Sequence, residues 1–119
     1  LGKNVTTIGT SAFKNCTALA KITIPSKVTG IGNSAFYGCK KLTAVTIGSG
    51  VKKIGNEAFR GCAKLKNITI KSAKLAKVGK NALKGISASA KIKVPSKKLS
   101  AYQKLLKGKG QRRTVKIRK

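Results

Sequence analysis

The same residue types recur along this chain at a fixed step. Phe13, Phe36 and Phe59 stand 23 residues apart, and Leu83 follows 24 later. Cys16, Cys39 and Cys62 keep the 23-residue step, with Ile86 in the fourth place. Ile8, Ile31, Ile54 and Val78 form another column, each followed by Gly. Val5, Val28, Val51 and Leu75 lie three residues before them, and Leu19, Leu42 and Leu65 form a further column that Ser89 breaks. Ile22/Val45/Ile68/Ile92 and Ile24/Ile47/Ile70/Val94 complete the set. A single unit cannot close a core, but stacked units bury one another's apolar faces, so the chain is expected to be a solenoid.

Each unit has local reasons for its shape. Its last two apolar positions alternate with Thr23, Thr46, Thr69 and Lys93. Alternation of period two predicts a strand with one face buried, and β-branched residues suit it. Asn15, Gly38, Gly61 and Gly85 share a column just before the Cys position. Asn and Gly best tolerate positive φ, which predicts a left-handed corner in every coil. The Ala-Phe pair is expected on one helical turn across the convex side, with Asn33 and Asn56 as its caps.

The pattern G-x-x-A-F-x-G-C-x-x-L-x-x-I-x-I, at Gly32–Ile47 and Gly55–Ile70, resembles the BspA-like leucine-rich repeat family, also called the Treponema pallidum type. The unit length falls in the leucine-rich range of about 20–29 residues. Lys27, Gly50 and Ala73 occupy the slot where the general leucine-rich pattern has Asn or Cys, so the resemblance is to the subclass. It covers residues 1–95, with a degenerate fourth unit. The resemblance implies a leucine-rich repeat solenoid, right-handed and α/β or mainly β, of about four 23-residue coils. It also implies a secreted or cell-surface location, mostly in bacteria, and binding or adhesion rather than catalysis.

Beyond Pro95 the pattern changes, giving a solenoid at 1–95 and a C-terminal cap at 96–119. Leu99, Tyr102, Leu105 and Leu106 follow helical spacing, which predicts a helix over 96–107 that stops at Gly108 and Gly110. Val115 and Ile117 lie 23 residues after Ile92 and Val94, so 114–118 is expected to be a fifth strand in the same register. The helix would then cover the end of the core; the other reading makes it a separate basic helix for a membrane or partner. Leu1 aligns with the Ile24 column, so the chain is expected to begin inside a strand, as the C-terminal end of a longer repeat protein. The alternative is a short chain whose first coil frays. No apolar run approaches the ~20 residues that a spanning helix needs.

Composition then narrows function. The 119 residues hold 28 Lys plus Arg, one acid and no His, for a net charge of +27. Glu57 alone offers no carboxylate pair for acid–base work and no cluster for Mg²⁺ or Ca²⁺. Without His there is no Ser-His or Cys-His nucleophile system. The expectation is therefore no enzyme, no cofactor and no metal. The three Cys fall one per coil without a C-x-x-C pair, which favours inward thiols as small apolar filler over a zinc site. Neighbouring coils at about 4.8 Å also leave a disulfide open by distance, although stacked side chains point in parallel.

The charge is uneven: residues 1–59 hold 8 cations and residues 60–119 hold 20. Only four are Arg, and of the five aromatics Tyr37 alone is expected to be exposed. Specific nucleic-acid readout therefore has neither bidentate forks nor a stacking platform, while non-specific polyanion binding at low salt is expected. The outward strand positions make the better site. Lys21, Ala44, Asn67, Lys91 and Thr114 form one expected row on the concave sheet, and Thr23, Thr46, Thr69, Lys93 and Lys116 the next. The candidate ligand-binding residues are Lys21, Thr23, Thr46, Asn67, Thr69, Lys91, Lys93 and Lys116. The expectation is a monomeric module that recognises a protein or an anionic glycan or cell-wall polymer through them. A structural spacer or targeting arm, with activity upstream, is the alternative. The plainer explanation of the same residues is that Lys solvates the surface and Thr favours strand pairing.

Overall fold

The computed structural model describes residue 2 and residues 4–119. The expectation about Leu1 lies outside these residues. In chain order the strands are β1 (Thr7–Ile8), β2 (Lys21–Ile24), β3 (Gly30–Ile31), β4 (Ala44–Ile47), β5 (Lys53–Ile54), β6 (Asn67–Ile70), β7 (Lys77–Val78) and β8 (Lys91–Lys93). A 3-10 turn at Ser96–Lys98 leads into helix α1 (Leu99–Leu106), and β9 (Lys116–Arg118) follows. Two parallel sheets result. One has the order β1-β3-β5-β7 and the other β2-β4-β6-β8-β9.

Pairing follows the repeat. Ile22 lies beside Val45, Val45 beside Ile68, and Ile68 beside Ile92, so each apolar column is a ladder across the sheet. The columns fill the space between the sheets. Val28, Phe36, Cys39, Leu42, Ile47 and Val51 are wholly buried there. Phe13, Phe36 and Phe59 stack at 5.3 and 5.2 Å between centroids, within 3° of parallel. The glycines after Ile31, Ile54 and Val78 have a contact reason: a Cβ on Gly32 would sit 2.5 Å from the Thr10 nitrogen of the preceding coil.

The third side of each coil departs from the predicted helical turn. Positive φ occurs at Asn15, Gly38, Gly61 and Gly85, at the predicted corner, and again at Ser11, Ser34 and Glu57 just before the Ala-Phe pair and at Asn81 before Ala82-Leu83. The N–H groups divide between two tasks. Those of Ala12, Lys14 and Cys16 donate three residues back within the turn, whereas those of Ser11, Phe13 and Asn15 donate to Asn33, Ala35 and Tyr37 of the next coil. An α-helical turn would take those inter-coil donors for itself. Asn33 and Asn56 likewise do not cap their own turns. Asn33 Oδ1 accepts the Asn56 N–H and Asn56 Oδ1 accepts the Lys80 N–H, both at 2.9 Å, which joins one coil to the next.

The C-terminal region is built around one inserted residue. Three residues separate Ile47 from Val51, but four separate Ile70 from Leu75. The extra residue accompanies a buried Ser72, whose hydroxyl donates to the Val51 carbonyl at 2.6 Å and accepts the Lys74 N–H at 3.0 Å. Tyr102 of α1 reaches the same place: its hydroxyl donates to the Ser72 carbonyl at 2.7 Å and accepts the Leu75 N–H at 3.1 Å. Tyr102 and Leu106 are buried against the last coil. After the helix, the Lys109 carbonyl accepts the Leu83 N–H at 2.9 Å, continuing the inter-coil ladder.

The final strand does not keep the 23-residue register. Ile117, not Val115, lies beside Ile92, and Lys116 and Arg118 lie beside Lys91 and Lys93. The pairing is displaced by two residues, which preserves the buried face because side chains alternate with period two. The segment carrying α1 takes a longer path than an ordinary coil and uses up those two residues. Thr114 therefore precedes the strand, and its hydroxyl donates to the Ala88 carbonyl.

Candidate functional site

The outward face of the five-stranded sheet is fixed by strand alternation. Ile24, Val45, Ile47, Ile68, Ile70 and Ile92 point into the core, so the residues between them face out. Lys21 and Thr23 project from β2, Thr46 from β4, Asn67 and Thr69 from β6, and Lys91 and Lys93 from β8. Lys116 projects from β9. All eight sequence-predicted residues thus share one face. Pairing changes their neighbours: one row runs Lys21, Ala44, Asn67, Lys91, Lys116, and the next runs Thr23, Thr46, Thr69, Lys93, Arg118. Thr114 leaves the first row, Lys116 moves into it, and Arg118 joins the second.

The face has two chemically distinct parts. Lys91, Lys93, Lys116 and Arg118 form a two-by-two grid of exposed cations. Strand neighbours lie about 4.8 Å apart and alternate residues of one strand about 6.6 Å apart. Like charges directly opposite repel, which makes an unneutralised grid unfavourable for the sheet. The chain's one carboxylate side chain is elsewhere: Glu57 pairs with Arg60 on the turn side. Lys119 adds a further cation, lining a depression of about 230 Å³ together with Asn67, Thr69, Lys93 and Arg118.

Beside this grid lies a neutral polar strip, Thr23, Thr46, Asn67 and Thr69. Among the described residues, these side chains make no hydrogen bond within the protein. Other threonines do: the hydroxyls of Thr29 and Thr43 donate to the carbonyls of Thr6 and Ala20 in the preceding coil. The sheet-face hydroxyls are therefore available to a partner, whereas those of Thr29 and Thr43 are used to hold coils together.

Sequence reasoning missed Arg118, because a 23-residue step extrapolated through α1 placed it outside both rows. The signal was present in the Lys-Ile-Arg alternation itself, which matches Lys-Ile-Lys at β8 when displaced by two. Tyr37 is half-buried rather than exposed, with the Lys14 ammonium 5.2 Å from its ring centroid. Among the described residues, no group of three His, Cys, Asp or Glu is placed to hold a metal ion.

The three cysteines are free. The thiols of Cys39 and Cys62 each donate at 3.1 Å to the carbonyl of the Phe in the preceding coil, Phe13 and Phe36. Burial, reinforced by the neighbouring Cys39, pushes the Cys62 thiol up to about 12. Burial also raises Cys39. Neutral buried thiols of this kind pack as small apolar groups and are poor nucleophiles.

Comparison with known proteins agrees with this geometry. The family model for the BspA type leucine-rich repeat region, in 6 copies, matches residues 1–110. The match includes α1 as well as the regular coils. In shape the chain is similar to a leucine-rich repeat protein from Bacteroides ovatus, with a TM-score of 0.76 and 29% identity over 93% of this chain. It spans 27% of the length of that protein. A search of curated proteins gave no match.

Proposed function

The chain belongs to the BspA type leucine-rich repeat family, a family of protein-interaction modules, and from that premise we propose a non-enzymatic binding role in a secreted or cell-surface protein. Its partner carries negative charge and docks on the outward face of the five-stranded sheet. The observation that carries this reading is the grid of Lys91, Lys93, Lys116 and Arg118, four cations on neighbouring strands with no acidic side chain among them. An anionic partner relieves their mutual repulsion and so gains from it. The occurrence of the family in bacterial surface proteins supports the location, and an adhesive role accords with it.

The test is binding to an immobilised polyanion at low and at physiological salt. Binding through the grid falls steeply as salt rises, because each neutralised charge releases a counterion. Salt-independent binding would overturn the charge-based mechanism. A second reading, a spacer within a larger protein, is favoured by the 27% coverage of the Bacteroides ovatus protein. A spacer would show no saturable binding on this face under either condition.

A further inference from the structure

We infer that the partner of the sheet face is an acidic polysaccharide, a polymer bearing anionic groups and free hydroxyls on the same repeating unit. This rests on the interaction reading above and names the class of ligand. The cation grid alone would accept any polyanion. The adjoining strip decides between them. Asn67 and Thr69 are the neighbours of Lys91 and Lys93 in the same two rows, and Thr46 and Thr23 continue the second row toward the N-terminal edge. A linear ligand crossing the strands therefore meets charge first and then hydroxyl and amide groups.

Each competing class lacks something this face offers or needs something it lacks. Polyphosphate has no groups for the Thr and Asn side chains beyond its anionic oxygens. Single-stranded nucleic acid gains much of its affinity from stacking on aromatic rings, and the two rows contain none. An acidic peptide would need apolar side chains between the cations for specificity, and in the two outward rows Ala44 is the one apolar residue, away from the grid. A polyol with regularly placed anionic groups fits both parts. The grid spacings, about 4.8 Å across strands and about 6.6 Å along them, are on the scale of one pyranose ring.

The hydroxyl assignment also answers the simpler explanation that the threonines only favour strand pairing. Valine would do that as well. Replacing Thr46 and Thr69 by Val keeps the β-branch and the fold while removing the hydroxyl.

The experiment compares chondroitin sulfate with inorganic polyphosphate, single-stranded DNA and poly-glutamate, each immobilised, using three variants whose folding is checked by circular dichroism. Neutralising Lys91, Lys93, Lys116 and Arg118 to Gln should lower affinity for both chondroitin sulfate and polyphosphate by at least about tenfold and flatten the salt dependence. A charge-matched control, Lys52, Lys53, Lys74 and Lys77 to Gln, alters cations outside the five-stranded sheet and should cost less than about threefold. The triple variant Thr46→Val, Asn67→Ala, Thr69→Val should weaken chondroitin sulfate by about fivefold and polyphosphate by less than about twofold. An unchanged chondroitin sulfate affinity in the triple variant would overturn the polysaccharide inference and leave the interaction reading standing. So would tighter binding of the DNA or of poly-glutamate by the unmodified protein. Equal losses in the two quadruple variants would instead overturn the interaction reading itself, because charge anywhere on the chain would then suffice.

Discussion

The middle coils and the C-terminal region obey one inward rule and two outward rules. Inside, Phe36 and Phe59 give way to Leu83, and Cys39 and Cys62 to Ile86, so the columns continue with altered volumes. Outside, Ala44, Thr46 and Thr69 give way to Lys91, Lys93, Lys116 and Arg118 on the same sheet. The fold therefore places little constraint on the outward positions, and their change in character along the sheet is available for selection by a partner. The C-terminal region also departs from the repeat in backbone, through one inserted residue, a helix and a two-residue displacement in pairing. The middle coils draw their stability from repetition, whereas the C-terminal region depends on individual contacts.

The aromatic stack runs from an open end into the closed middle of the solenoid. Phe36 is wholly buried between two rings, and Phe13, at the outer end of the stack, is half-buried. Phe36→Ala should cost about 3–5 kcal/mol, the range for a buried aromatic that leaves a cavity. Phe13→Ala should cost clearly less, since part of its ring already meets water. Urea unfolding of the two variants measures the difference. Equal losses would mean that the first coil is as tightly held as the second.

The next effect isolates the C-terminal region. Tyr102→Phe keeps the ring and removes the hydroxyl that serves both the Ser72 carbonyl and the Leu75 N–H. Leaving these buried backbone groups unpaired should cost about 1–3 kcal/mol. Hydrogen exchange should locate the loss at α1 and the Ser72–Leu75 segment, with the middle coils still protected. A uniform loss of protection would show that the helix and the coils unfold as one unit.

These two regions were not equally legible in the sequence. The inward columns of the middle coils translate directly into pairing, because a parallel ladder sets like residues side by side at every step. The left-handed corner at Asn15, Gly38, Gly61 and Gly85 was legible because Gly and Asn dominate it. The second left-handed position was hidden, since Ser11, Ser34, Glu57 and Asn81 share no residue preference that announces positive φ. Asn33 and Asn56 misled because an Asn ahead of a turn has two possible acceptor roles, and only the stacking of coils decides for the inter-coil bond. The displaced β9 was out of reach for a different reason. The path length of a helical excursion depends on how the helix packs, and nothing local to Val115 or Ile117 records it. Of the candidate site, the eight residues could be assigned to one face by alternation, but not their final neighbours.

Charge on that face supplies a smaller and condition-dependent effect. Neutralising Lys91, Lys93, Lys116 and Arg118 should raise stability by up to about 1 kcal/mol at low salt, since like-charged neighbours across strands repel. The gain should fade as salt screens the grid. Lys21→Gln, in a row whose neighbours are Ala44 and Asn67, should give no comparable gain. Thermal melts of both variants at two salt concentrations separate the two ends of the sheet. A gain from Lys21→Gln equal to that of the grid would assign the repulsion to net charge and not to the local arrangement.

The smallest effect concerns the thiols, and it returns to the ends of the stack. Cys16 is half-buried, whereas Cys39 and Cys62 are buried and hydrogen-bonded to the preceding coil. A disulfide reagent at mildly alkaline pH should therefore label Cys16 first, with the other two reacting at the rate of coil opening. The titration runs in the same direction. A thiol raised by burial keeps its proton in the native state at pH values where the unfolded chain has lost it. For Cys62, raised from 9.0 to about 12, the resulting stability is fully present below pH 9 and is lost as pH rises through about 12. The thiolate absorbance of Cys62 should rise near pH 9 in denaturant, but only near pH 12 in the folded protein. Titration of Cys62 near pH 9 in the folded state would mean that water reaches the cysteine column, and that the middle coils are no better sealed than the first.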